Sequence, residues 1–392
     1  MIDAPIEQIE KEHIEKLISN EVGEHDTLEY KQELPGKTSK AKTEFLYDVS
    51  SFANARGGDL IYGIADHRDG DNRPTGLPVI SGLNVNVSNE ILWLYDILRR
   101  GVDPRIPGIE HREVRGFQNG SVLIIRIPKS WIGPHMVASD DACRFYSRRG
   151  TGKYILNVME IRSAFLASNA IADNARRFRS ERIAKVIEGD VPVSLGEKPK
   201  LLLHLIPMSA LDPTNLRDVT KAATKSFAKL HPIGIADGLS SRCNIDGLLT
   251  KVNGSNCYVQ VFRSGIIEAA DGETFKYSAG SIELFELDHT ILVALKRYLE
   301  AQRELSIPFP IIVMVTLLGL KNFKSKLTDK YNYFQNERTI DREVLMLPEI
   351  VMEDPNAEVS TIMRPICDAL WQSFGFNESR NYNSNGKCEL EL

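Results

Sequence analysis

The sequence has no C-x-x-C pair, and its five cysteines, Cys143, Cys243, Cys257, Cys367 and Cys388, are odd in number and widely scattered. That spacing excludes a cysteine-pair zinc cage and argues against a disulfide framework, so a reducing cytoplasm is the expected setting. Long apolar runs are missing too. The longest, residues 307–320, contains Pro308 and Pro310 and is too short to cross a bilayer. Met1-Ile2-Asp3-Ala4-Pro5 lacks the basic and apolar regions of a signal peptide, and no membrane partner is expected. No G-x-x-x-x-G-K-[ST], H-E-x-x-H or G-x-S-x-G occurs, which disfavours P-loop nucleotidases, zincins and nucleophile-elbow hydrolases. The net charge of -5 gives no whole-chain basic signature. A polyanion would have to be held by a local patch, because charges are screened beyond about 8–10 Å.

What is present is an ordinary globular chain. Its 392 residues, 42% hydrophobic and 26% charged, exceed what one core normally supports and predict two domains. Apolar residues at helical spacing predict helices over residues 3–19, with Asp3 as cap, 40–54, 88–100 with Ser88 as cap, and 156–187. Strands are expected at 27–31, 59–64, 122–127 and 144–147. Gly189, Pro192, Gly196 and Pro199 break the pattern, giving a first domain at 1–187, a linker at 188–200 and a second domain at 201–392. The second domain reads as strands at 201–206, 258–262 and 311–317 with helices at 215–229 and 288–305, and only the tail from 377 looks loosely ordered. Both halves are therefore expected to be α+β.

Three carboxylates, Glu24, Glu29 and Asp66, flank the segment Phe52-Ala53-Asn54-Ala55-Arg56-Gly57-Gly58. If the chain turns so that they meet, their oxygen donors suit Mg²⁺ or Mn²⁺, which activate water for phosphodiester cleavage. Spacing alone leaves the other reading open, solvated loop acids, the commonest place for Asp and Glu. Gly57-Gly58 reads as a left-handed helix stop and Asn54 as a helix-end hydrogen bonder. His25 and His67 adjoin the acids and read first as surface histidines.

Basic residues concentrate between positions 142 and 190: Arg144, Arg148, Arg149, Lys153, Arg162, Arg176, Arg177, Arg179, Arg182 and Lys185, against five acids. This local +5 leaves -10 for the remainder and favours a phosphate-facing patch on the first domain. For residues 176–185 a solvated helix face explains the charge equally well. Tyr146 and Tyr154 interleave with the arginines, to stack on bases or to pack.

Glu24-His25-Asp26-Thr27-Leu28-Glu29-Tyr30-Lys31, then Phe52-Ala53-Asn54-Ala55-Arg56-Gly57-Gly58 and Tyr62-Gly63-Ile64-Ala65-Asp66, resemble the Schlafen-type AlbA-like domain over about residues 20–166. That family's pattern is E-S-x-x-x-E-[FY]-K, F-A-N-T-x-G-G and G-V-x-D; His25 stands where serine is usual and Ala55 where threonine is. The resemblance implies a mixed sheet with helices and a three-carboxylate site at Glu24, Glu29 and Asp66 dependent on Mg²⁺ or Mn²⁺. Lys31 would touch the scissile phosphate, with Arg144, Arg148, Arg149 and Lys153 steadying the backbone. The implied activity is endoribonucleolytic, on tRNA or other structured RNA. A homodimer and an antiphage role are also implied, with the second domain sensing a phage-derived or small-molecule trigger. The alternative expectation is a non-catalytic DNA-binding regulator, in which the acids are incidental.

Overall fold

The computed structural model describes all residues except 69–73, 140–141, 212–217, 219–225, 235–237, 276–277, 327–338, 384 and 391–392. The chain divides into two compact units, Met1–Ile171 and Ala172–Leu392. Each mixes helices with sheets, so the fold is α+β.

In the first unit one sheet has the order β1 (Leu28–Lys31), β2 (Gly57–Tyr62), β7 (Gly120–Pro128), β6 (Glu110–Phe117). β1 lies parallel to β2 and the other pairings are antiparallel. The apolar run in β7 is continuous because both faces of this sheet are covered. Leu60, Tyr62, Leu123, Ile125 and Ile127 pack under α2 (Ser39–Ala53) and α3 (Val87–Gly101), against Phe45, Val49, Phe52, Ile91, Leu94 and Leu98. The alternate residues Ile61, Val122 and Ile124 meet Ile2, Ile6, Ile9 and Ile14 on the other side. A second sheet, antiparallel throughout, has the order β10 (Gly152–Ile155), β9 (Ala142–Arg149), β8 (Met136–Ser139), β5 (Val102–Asp103). β3 (Ile64–Arg68) pairs separately with β4 (Pro74–Ile80).

The N-terminal stretch differs from the single helix its spacing predicts. Residues Ile6–Gln8 form one 3-10 turn, Ile9 is extended, and α1 covers only Lys11–Ser19, with Glu10 as its cap in place of Asp3. The reason is a polar clasp. Asp59, fully buried in β2, receives two hydrogen bonds from Arg126 at 2.8 and 3.0 Å and a third from the Ile2 amide at 2.7 Å. Arg126 also donates to the carbonyls of Ala4 and Ile2. These contacts hold the first residues extended on the sheet while Ile2, Ile6 and Ile9 fill the core. α3 is capped by Asn86, whose side chain accepts from the Asn89 amide, in place of the expected Ser88.

The Gly-Gly pair is not a helix stop either. α2 ends at Ala53 with Asn54 still right-handed, and Gly57 (φ +73°) is the first residue of β2. A Cβ on Gly57 would lie 2.5 Å from the Lys129 amide, so the turn into β2 requires glycine.

In the second unit an eight-stranded sheet runs β12 (Leu239–Cys243), β13 (Gly247–Val252), β14 (Cys257–Phe262), β15 (Ile267–Asp271), β11 (Lys200–Pro207), β17 (Ile311–Leu318), with β19 (Val344–Met346) and β20 (Ile350–Met352) both on β17. Helices α5 (Leu284–Glu304) and α6 (Val359–Ser373) cover it. The division between units falls inside α4 (Val158–Glu188), because Arg182, Ile183 and Val186 are buried in the second unit, as is Leu195 from the expected linker. The helix expected at 215–229 lies largely outside the described residues; its end is a 3-10 turn, Phe227–Lys229. The tail is held, contrary to expectation: Ser379 and Asn381 are buried and, with the Trp371 indole, donate to one oxygen of the buried Asp288 carboxylate. Among the described residues no helix is long and apolar enough to cross a membrane.

Replacing Asp59 with Ala would strand the Arg126 guanidinium against the sheet. We expect a loss of about 3–5 kcal/mol in urea unfolding and early protease cleavage within residues 1–10.

Candidate functional site

The first unit gathers six charged side chains from four elements. Glu29 and Lys31 alternate along β1, Glu44 and Asp48 sit one turn apart on α2, Arg148 comes from β9 and Lys153 from β10. Lys31 Nζ lies 2.5 Å from Glu29 Oε1 and 3.5 Å from Asp48 Oδ2. Arg148 Nη1 donates to Glu29 Oε2 at 2.7 Å while its guanidinium lies 3.8 Å from the Phe52 ring centre. Lys153 Nζ donates to both Glu44 Oε1 and Asp48 Oδ1. Glu29 is 9%, Asp48 2% and Arg148 6% exposed. The three acids and three bases balance, as burial at this depth demands.

The two buried acids are pushed apart in proton affinity. Burial raises Glu29, but the adjoining Lys31 and Arg148 outweigh it and hold its carboxyl below the usual range. For Asp48 burial dominates, the Glu29 charge adds to it, and the carboxyl is raised in spite of Lys31 and Lys153. Lys31 gains in basicity: burial opposes its charge, but Asp48 and Glu29 more than compensate. Such splitting is the pattern by which sites assign one acid to stay ionised and another to titrate.

Of the three acids singled out in the sequence, Glu29 is paired within this cluster and Glu24 lies within electrostatic reach of its Lys31. Glu24 is exposed before β1, and its Oε1 accepts from the Tyr30 amide at 2.8 Å. Asp66 is exposed on β3, and its Oδ1 accepts from the Gly76 amide at 2.8 Å. Gly63, with φ +91°, follows the end of β2 at Tyr62, and Asp66 beyond it lies in the β3–β4 ribbon. Carboxylate oxygens are the right donors for Mg²⁺ or Mn²⁺. Among the described residues, however, no three His, Cys, Asp or Glu side chains are grouped to hold a metal ion, and both oxygens of Glu29 carry cations of the protein itself. To share an ion, Glu24 and Asp66 would have to move toward Glu29.

The basic segment also divides. Arg144 and Arg149 are exposed on β9. Arg148, expected to face a phosphate, instead points inward, because Glu29 and the Phe52 ring hold it there. Arg176 pairs with Glu349, Arg179 donates to the Leu347 carbonyl, and Arg182 donates twice to Glu268 at 2.7 Å, so these three are ties within the second unit. His25 sits beside Asp26 and Thr27, and the His67 side chain lies outside the described residues. Asn54 closes the end of α2 onto the second sheet: its amide donates to the His135 and Tyr146 carbonyls and accepts from the His135 amide.

Asp48 and Glu44 escaped the sequence reading. Their signal was present: Asp48 interrupts the apolar stripe Phe45, Val49, Phe52 of α2, where a carboxylate needs a partner.

Replacing Arg148 with Met should raise the Glu29 carboxyl and cost about 3–5 kcal/mol at neutral pH. Glu29 contributes stability while ionised and loses it as pH falls through its lowered value. The difference between the two proteins should therefore shrink on acidification, measured by hydrogen exchange in β1 and β2.

No curated protein matches the chain. One solved structure with some likeness is the DIP2311 protein from Corynebacterium diphtheriae, at 21% identity and a TM-score of 0.25, over 37% of this chain and only 29% of that one. Residues 24–157 match the family model described as Schlafen, AlbA_2. These are the residues that supply all six members of the charge cluster, and this stretch of the chain is a Schlafen-type AlbA-like domain, a type consistent with a nuclease or a nucleic-acid-binding protein.

Proposed function

We propose that the first unit is an endoribonuclease, with tRNA or other structured RNA as substrate, and that the charge cluster around Glu29 is its working centre. The observation that supports this reading is the gathering of six charged groups, with Glu29, Asp48 and Arg148 buried, within a Schlafen-type AlbA-like domain. Stability alone does not call for such a cluster, since apolar side chains of like volume serve a core as well or better. Perturbed acids and bases gathered at a partly open surface are the mark of a site. The side chains of Lys31 and Lys153 remain 33% and 25% exposed, enough to meet a phosphate. Arg144 and Arg149 are two further exposed cations on β9. A requirement for Mg²⁺ or Mn²⁺ belongs to the proposal as a quantity to measure, since Glu24, Glu29 and Asp66 would have to leave their present partners to share an ion.

A homodimer in a reducing cytoplasm completes this reading, and the five unpaired cysteines support the latter. The second unit is assigned the role of sensing a phage-derived or small-molecule trigger. A second reading, binding of DNA or RNA without cleavage, draws support from the cluster itself, because each of its acids is already paired with a cation.

Full-length protein incubated with tRNA and Mn²⁺ should cleave it, EDTA should stop cleavage, and Glu29→Ala should slow it by about 100-fold or more. Intact tRNA in every condition, with binding that persists in EDTA and in the Glu24, Glu29, Asp66 triple alanine variant, would establish the binding-only reading.

A further inference from the structure

The cluster contains one group that touches both lysines. Asp48 lies on the buried face of α2, with Oδ1 accepting from Lys153 Nζ and Oδ2 3.5 Å from Lys31 Nζ. The two ammonium groups come from different sheets, Lys31 from β1 and Lys153 from β10, so neither backbone fixes their separation. Each has a second acid to collapse upon: Lys31 has Glu29, and Lys153 has Glu44. Glu44 is itself exposed, its side chain 53% open to solvent, and is a poor anchor.

From this we infer that Asp48 is a positioning residue, a buried carboxylate that sets the spacing of Lys31 and Lys153 so that both face one phosphodiester of the RNA. The inference rests on the reading of this cluster as the RNA site. Asp48 acts through the lysines and does not itself reach the substrate, being almost wholly covered. The reaction is otherwise unchanged: the lysines supply charge and hydrogen bonds, and no proton passes through Asp48.

The charged and titratable groups facing Asp48 are Glu29 and Lys31 from β1, Tyr62 from β2, Glu44 from its own helix, Arg148 from β9 and Lys153 from β10. Burial and the Glu29 charge raise the Asp48 carboxyl, so it takes a proton more readily than a free aspartate as pH falls. Protonation would release the lysines and lower activity from the acid side.

The experiment compares full-length wild type, Asp48→Asn, Asp48→Glu and Lys153→Met, with tRNA cleavage and fluorescence-anisotropy binding of the same tRNA followed from pH 5 to pH 8. Asp48→Asn is expected to slow cleavage roughly 10–100-fold with a smaller change in KM, and to flatten the acid limb of the rate profile. Asp48→Glu should restore part of the rate and the limb. The variant combining Asp48→Asn with Lys153→Met should be no slower than the slower single variant, because the two act as one unit. A wild-type rate and acid limb in Asp48→Asn would overturn the inference, and so would losses that multiply in the double variant. If Asp48→Asn fails to fold, the Asp48→Glu and Lys153→Met profiles decide it: an acid limb unmoved in both is the overturning result. Should wild type bind tRNA without cutting it, the nuclease reading falls while the positioning role is judged on affinity. There an unchanged Kd in Asp48→Asn sinks it, and a Kd that weakens several-fold on acidification in wild type alone sustains it.

Discussion

The guanidinium of Arg148, placed over the Phe52 ring and hydrogen-bonded to Glu29, is the contact on which the first unit turns. It leaves β9 of the second sheet, crosses the side of α2 and ends on β1 of the first sheet, so three separate elements share one cation. A planar, permanently charged group that stacks on one face and donates at its edge suits that place, which an ammonium would not fill. Everything polar nearby follows from it. Glu29 stays ionised because Arg148 and Lys31 are there, and that buried negative charge in turn raises Asp48 and adds to the effect of burial on Tyr62.

The second unit uses the same device for a different end. Glu268 is fully buried in β15, yet its carboxyl is held down at about 2, because Arg182 and His204 overcome the cost of burial. Tyr258 donates to it as well, so the carboxylate meets partners from α4, β11 and β14. Asp288 shows the opposite balance. Burial exceeds what Ser379, Asn381 and Trp371 return, and the carboxyl is raised. One acid is kept charged to hold a helix, and the other gathers neutral donors to hold the tail.

Much of this was legible in the residues. The apolar runs at β7 and β17 gave their strands to within a residue or two, and the stripe Phe45, Val49, Phe52 gave α2, since period and burial coincide there. The motif around Glu29, Asn54 and Asp66 marked a domain type that the family comparison bears out. What the residues hid depends on backbone sign and on long-range partners. Nothing local in Gly63 reveals a φ of +91°, the turn after which Asp66 falls in the β3–β4 ribbon. Likewise a run of arginines reads as a patch until the partners of Arg148, Arg176 and Arg182 are known, and each lies far along the chain.

The depth of the Arg148–Glu29 pair gives the surface two electrostatic regimes. Arg144 and Arg149 stand in water, where mobile ions weaken their pull on a polyanion over a Debye length of about 8 Å at physiological ionic strength. The Arg148–Glu29 pair, covered on both sides, is screened far less and keeps its geometry as salt rises. Capture of a nucleic acid and the internal arrangement that receives it are thus governed by different media, the first by the buffer and the second by the protein interior.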